Sequence, residues 1–334
     1  MSAAADVTTL HAAAGIFRRA DRGVIEVRGS DRVRFLQGQL TNDVAALVPA
    51  GPNAACPALV LTREGRIVAA FQVIARADAF WLETDAAAIA PAIARLEKFV
   101  IADDVAIADE SVAIARLSVE GARAFAVVAD AAGVADFGVA PGAVASLRIG
   151  GAESLAAAWS TGSEPGVQLF VARPDEAVVF DALRVAGARH GAVVADLAAL
   201  DVLRVEAGLP RFGAELGPDT LPAELGLVER TVSFTKGCYT GQEVVARMHS
   251  RGRVGHRLIG IVLDDGTLPE LHAELRAGGT RVGEVTSVAH SPRVGAVALG
   301  IVRHTAAAPD TPLDVAGQAG RAVALPFGPG TGAR

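Results

Sequence analysis

With 334 residues, 51% of them apolar and 20% charged, the chain is longer than one short domain and too apolar for a disordered protein. At roughly 150 residues per domain it divides into about two domains, or three small ones. Thirty-one basic against 37 acidic residues leave a net charge of −6, which excludes a protein that coats nucleic acid non-specifically but leaves room for a local basic patch.

Met1 to Gly15 has neither the basic start nor the continuous apolar core of a secretory signal, and no run reaches the ~18 apolar residues of a membrane span. Two cysteines, Cys56 and Cys238, are too few for a disulfide framework or an all-cysteine metal site. A soluble cytoplasmic protein without a metal centre is expected. From Gly23 to Glu110 the predicted order is strand, helix, three strands, helix, strand. Val24, Ile25 and Val27 suggest a strand, and Asp31 is placed to cap a helix carrying Val33, Phe35, Leu36 and Leu40. Ala58 to Thr62, the turn Arg63-Glu64-Gly65 and Arg66 to Ala75 read as a hairpin, with Ala79 to Glu83 as the next strand. A helix over about 86–99 and a strand at Val105 to Ala108 complete the block.

The next stretch repeats this order, with strand-like Ala115 to Val119, a helix over 122–132, strands at 145–149, 154–159 and 167–172, and a helix over 175–189. Two helices per block can cover one face of an antiparallel sheet, which leaves the other face for a neighbour or for water. Ala195 to Gly208 predicts a further helix with Leu197, Leu200, Leu203 and Val205 as its apolar stripe and Gly208 as its stop. Residues 210–236 are rich in Gly and Pro and read as loop. Past Arg257, short apolar runs at 258–263, 282–288 and 294–302 between turns suggest a small β-barrel or sandwich. The Gly-rich end from Gly328 to Arg334 reads as a frayed tail.

The stretch Lys236-Gly237-Cys238-Tyr239-Thr240-Gly241-Gln242-Glu243 places a cation, a thiol, a phenol and an amide in eight residues bounded by flexible glycines. Cys238 is the candidate reactive residue, its thiolate stabilised if Lys236, Arg247, Arg251 and Arg253 lie close; a buried packing role in a turn entering a helix at about 242–248 is the other reading. Arg247, Arg251, Arg253 and Arg257, with two histidines and no acid between them, form either an anion- or partner-binding patch or an ordinary solvated face. RNA binding would call for stacking aromatics, and only Tyr239 is close in sequence. Asn42-Asp43 reads as a turn after the first helix or as a ligand-orienting pair. Glu206, near a helix C-terminus, has no favourable dipole energy; if buried it needs donors such as a basic residue or the paired N–H groups of a pteridine ring. Walker-type and dinucleotide fingerprints are absent.

Residues 236–243 resemble the signature of the YgfZ family, folate-binding relatives of the glycine cleavage T-protein associated with iron–sulfur cluster assembly or repair and linked to tRNA modification. Further similarity covers 31–43, 203–210, 212–216, 283–287 and 295–302. The resemblance implies an α+β chain with a T-protein-like arrangement around a central cavity. Its parts would be a discontinuous first α+β domain (1–22 plus 111–240), a second (23–110) and a C-terminal β-barrel domain (241–334). It implies tetrahydrofolate or a derivative as cofactor, Glu206 on the pterin, and Asn42, Lys236, Tyr239 and Gln242 in the binding site. Expected partners are iron–sulfur proteins or their assembly factors, or tRNA. The T-protein carries a catalytic aspartate where this chain has Ala69-Ala70, and alanine neither exchanges a proton nor holds a developing cation. The expected function is therefore a tetrahydrofolate-binding protein supporting iron–sulfur enzymes, with a folate-dependent one-carbon transferase acting on tRNA or protein, or a non-catalytic scaffold, as alternatives.

Overall fold

The computed structural model describes residues 3–51, 53–140, 142–252 and 254–328. Among them the strands form two open sheets and one closed barrel. The five-stranded antiparallel sheet runs in the order Ala55–Leu61, Ile67–Ala75, Ala79–Asp85, Arg22–Arg28, Ala106–Asp109. Helices Arg32–Gln39 and Ile89–Glu97 cover one of its faces, with Phe35, Leu36, Phe71, Leu82 and Leu96 in the core between. Asp31 precedes the first of these helices but makes no capping bond to it. Its carboxylate instead accepts the Asp104 N–H at 2.9 Å, tying the helix start to the loop before the last strand.

The six-stranded sheet runs Val193–Val194, Gly15–Arg18, Ile114–Glu120, Gly166–Ala172, Ala152–Ala157, Val144–Ile149. Helices Ala124–Ala132 and Glu176–Arg189 cover its outer face. The two blocks thus share the predicted order. The helix Ala3–Ala12 and the strands Gly15–Arg18 and Val193–Val194 are additions, the strands too short to show a period. The uncovered faces of the two sheets shield each other: Val24 and Ile74 of one pack on Leu155, Ala157 and Phe170 of the other.

The C-terminal barrel closes in the order His256–Leu263, Gly295–Arg303, Thr280–Ser291, Glu274–Ala277, Pro312–Val315, Gln318–Val323, around Ile261, Leu275, Val285, Ala298 and Val315. Three of these strands are short or Ala/Gly-rich and have no clear apolar alternation. The passage at 210–236 is irregular yet packed, with Leu216, Leu225, Leu227, Val228 and Val232 wedged between Leu59, Leu61 and Ile67 of the five-stranded sheet and Leu258 and Ile301 of the barrel. Helix Leu197–Ala207 begins on Asp196, whose side chain accepts the Ala199 N–H at 2.9 Å, and ends at Gly208 in the left-handed region, φ +67°. It presses Val205 against Val262, Val297 and Leu299 of the barrel. No helix among the described residues is long and apolar enough to cross a membrane. Of the predicted tail, 329–334 lie outside the described residues.

Candidate functional site

The two sheets, helix Leu197–Ala207 and the segment after it enclose a central cavity of about 350 Å³, at the small end of small-molecule sites. Trp159, Leu197, Leu200, Leu216 and Leu227 give it apolar walls, and Arg19, Arg22, Glu83, Asp85, Gln168 and Arg204 give it polar ones. The barrel acts through Ser287, whose hydroxyl accepts from Arg204 Nη2 at 2.8 Å and donates to Glu215 at 2.6 Å.

Alternation along the strands supplies the polar side. In Ile114–Glu120, Ala115, Leu117 and Val119 face the helices, so Arg116, Ser118 and Glu120 face the other sheet. Arg116 Nη2 and Arg22 Nε meet on Glu83 Oε1 at 3.0 and 2.7 Å, and Arg22 Nη2 reaches Oε2 at 2.8 Å. Burial works against the Glu83 charge, yet the two arginines outweigh it and pull its pKa down to about 2. Burial also opposes the charge of Arg22, but Glu83 and Asp85 together hold its pKa above the ordinary value. Arg116 has one acid and the deeper site, and burial pushes it down to about 10. Next to this joint Glu120 is saturated: it accepts from Ser160 at 2.9 Å, from the Thr161 hydroxyl at 3.0 Å and backbone N–H at 3.2 Å, and from Gln168 Nε2 at 2.6 Å. Burial is the largest influence on Glu120 and raises its pKa.

The eight-residue stretch at 236–243 lies outside this cavity. The Lys236 ammonium is buried and donates to the carbonyls of Gln37, Leu40 and Asn42 at 2.6, 2.6 and 2.9 Å, closing the C-terminal end of helix Arg32–Gln39. Burial lowers its pKa to about 8, with Asp43 and Cys56 pulling the other way. All three of its hydrogens are committed, so it is a structural tie and not a folate or thiolate contact. Asn42 is likewise consumed: Nδ2 donates to the Pro57 carbonyl at 2.7 Å and Oδ1 accepts the Asp43 N–H at 2.9 Å, which is the turn reading of that pair. The Tyr239 ring is buried among Leu59, Leu61, Ile67 and Val245, and burial raises its hydroxyl pKa to about 12. Gln242 is the first residue of helix Gln242–Arg251 and does not line the cavity. Gly241 has φ +87°, and a Cβ there would come within 2.7 Å of the Thr62 carbonyl, so only glycine lets this turn lie on the hairpin at 62–65. Cys238 is exposed on the resulting surface, away from the cavity, and Cys56 is half-buried with its pKa pushed up by burial to about 12.

Glu206 also requires correction. Leu197, Leu200, Asp201 and Arg204 line the cavity, and a residue two places beyond Arg204 lies on the opposite side of the helix. Buried there, the Glu206 carboxylate lies 2.9 Å from His11 Nε2, while His11 Nδ1 meets Glu164 at 3.2 Å. Its partner is the basic residue, not a ring in the cavity. Of the basic group, Arg247 and Arg257 are exposed on a helix and on a barrel strand, away from the cavity; Arg251 ends that helix and Arg253 lies outside the described residues. His249 of the same helix stacks on Phe234, ring centroids 4.2 Å apart. Among the described residues no group of His, Cys, Asp and Glu is placed to hold a metal ion. Of the alanine pair, Ala69 is buried in the core of the five-stranded sheet while Ala70 lines the cavity.

None of the cavity residues Arg19, Arg22, Glu83, Asp85, Gln168 and Asp201 stands out as a site residue in the sequence. The available signal was charge inside apolar strands: Arg116 and Glu120 alternate with Ala115, Leu117 and Val119, and Gln168 interrupts Gly166–Ala172.

Comparison with known proteins gives a consistent picture. The description "GCVT N-terminal domain" matches residues 1–236, and "Glycine cleavage T-protein C-terminal barrel domain" matches 256–327. A Bacillus licheniformis protein named aminomethyltransferase is 29% identical over 307 residues, covering 90% of this chain and 82% of that one. One from Shouchella clausii is 31% identical over 308 residues, covering 91% and 82%. The crystal structure of glycine cleavage system aminomethyltransferase T from Bartonella henselae shares the fold, with a TM-score of 0.85 at 23% identity over 98% of this chain and 90% of that one.

Proposed function

The chain belongs to the glycine cleavage T-protein family, and from that premise we propose that it binds tetrahydrofolate or a derivative in the central cavity without aminomethyl transfer. It acts in the cytoplasm as a YgfZ-like protein supporting the assembly or repair of iron–sulfur enzymes. The observation that carries this reading is Ala70: it is the member of the pair Ala69-Ala70, where the resemblance puts the transferase's acid, that lines the cavity, and its methyl group has no proton to exchange. The cavity suits the ring end of a folate by its aromatic and aliphatic walls, Trp159, Leu200 and Leu227, and by arginines and carboxylates at their edges. A bound reduced folate supplies nitrogens able to carry a one-carbon unit. The protein's part is to seat it, exclude water and present it to a partner.

Cys238, exposed on the turn at 236–243, is the thiol offered to that partner, and Arg247 on helix Gln242–Arg251 and Arg257 at the start of the barrel are exposed basic residues that the partner can meet. The names of the relatives favour a second reading, a one-carbon transferase with another acceptor; loss of the acid at the pair Ala69-Ala70 weighs against it. Calorimetric titration with tetrahydrofolate, run beside an assay for label passing from methylene-tetrahydrofolate to an amine acceptor, separates the two. Saturable binding with one site per chain and no label transfer is expected. Absence of binding would defeat the proposal, and transfer in step with binding would establish the second reading.

A further inference from the structure

Four carboxylates line the cavity among the described residues: Asp21, Glu83, Asp85 and Asp201. A carboxylate offers about four acceptor positions, two on each oxygen, and the hydrogen bonds already made decide which one has room for a ligand. Both oxygens of Asp21 are held in the fork of Arg19, at 2.9 and 2.8 Å. Glu83 has two donors on one oxygen and one on the other. Asp201 takes Arg204 Nε at 2.6 Å and Arg211 Nη1 at 3.0 Å, both on Oδ1, which leaves it one usable oxygen. Asp85 differs: its single close partner is Arg22 Nη1, 3.1 Å from Oδ1. It precedes the short helical turn Ala86–Ala88 but makes no capping bond to it. Three of its four acceptor positions stay open, more than on any of the other three carboxylates.

Its position matters as much as its capacity. Gln72 and Glu83 form the last pair of the ladder between the adjacent strands Ile67–Ala75 and Ala79–Asp85, and Ala70 and Asp85 lie two residues beyond them, both lining the cavity. Thr84, the residue before Asp85, donates its hydroxyl to the Ala70 carbonyl at 2.8 Å. The open carboxylate therefore lines the same cavity as the alanine that clears space in it.

We propose that Asp85 receives the paired N–H donors of the ring bound in this cavity, and so sets its preference for a 2-amino-4-oxo heterocycle. Two parallel N–H···O bonds to one ionised carboxylate form the strong, geometrically selective kind of contact. The inference rests on the folate reading above and names its positioning residue. Wild-type protein should bind tetrahydrofolate about tenfold or more tightly than its 2-desamino-2-methyl analogue, the loss expected for hydrogen bonds to a charged group. Asp85→Ala and Asp85→Asn should each lose about tenfold or more on tetrahydrofolate and bind the two ligands alike, whereas Glu206→Gln should behave as wild type.

The discrimination between the two ligands is a readout that loss of the Arg22 contact alone would leave in place. If Asp85→Ala melts too early to titrate, the near-isosteric Asp85→Asn carries the test. Wild-type protein that binds neither ligand would remove the folate reading and this inference together. Wild-type binding with no preference between the ligands, or Asp85 variants that keep wild-type affinity and preference, would overturn this inference alone.

Discussion

Replacing Lys236 with methionine should cost about 3–4 kcal/mol of stability at neutral pH, read as a fall in the urea midpoint. The methionine side chain fills similar volume, so packing against Tyr239 is largely kept; the ammonium lies 5.2 Å from that ring's centroid. What is lost is the charge-assisted bonding to the Gln37, Leu40 and Asn42 carbonyls. The Gln37 and Leu40 carbonyls stand at the end of a helix, where no intrahelical N–H is left to satisfy them, and methionine offers no donor; the Asn42 carbonyl keeps the Val44 N–H at 3.1 Å. Arginine should rescue little, because a planar fork does not converge on three carbonyls as a rotating ammonium does. A loss below about 1 kcal/mol, the range of surface ion pairs, would mean that the lysine is not holding this joint.

The second large effect is a loss of stability in acid. Glu83 has an ordinary carboxylate pKa of 4.5 when the chain is unfolded and about 2 in the fold. A lowered folded value means that the unfolded chain binds the proton more readily, so the stabilisation is complete above about pH 4.5 and is lost as pH falls through about 2. The difference corresponds to about 3 kcal/mol for this fully buried group. Glu83→Gln should flatten the unfolding profile over that window and cost about 3–5 kcal/mol at neutral pH, because Arg116 is left buried without its acid. Arg22 keeps Asp85 and suffers less. Unfolding followed from pH 6 to pH 2 in both proteins checks this: parallel profiles would contradict the joint's role in holding the two sheets together.

The architecture was readable because each sheet follows the same strand and helix order and each buries one apolar face, which writes period-two and period-3.6 patterns into the chain. The cavity was not, because its side chains come from separated stretches near 19–22, 57–72, 83–85, 159–168 and 197–231 that only the fold brings together. Helix Leu197–Ala207 shows the difficulty in one element. Leu203 packs towards the N-terminal helix, Val205 towards the barrel, and Leu200, Asp201 and Arg204 towards the cavity. A helix buried on several sides has no single stripe, and its phase cannot say whether Glu206 or Arg204 meets a ligand. The stretch at 236–243 was conspicuous for its chemistry, yet Lys236, Tyr239 and Gly241 serve the turn that displays Cys238.

The two tryptophans give the most direct test of a ligand in the central cavity. Trp159 lines that cavity, whereas Trp81 lines a separate cleft between the sheets. Titration with tetrahydrofolate should quench the intrinsic fluorescence saturably, with the quenching retained in Trp81→Phe and largely abolished in Trp159→Phe. Fluorescence unchanged at saturating ligand, or quenching that follows Trp81 instead, would contradict the central claim.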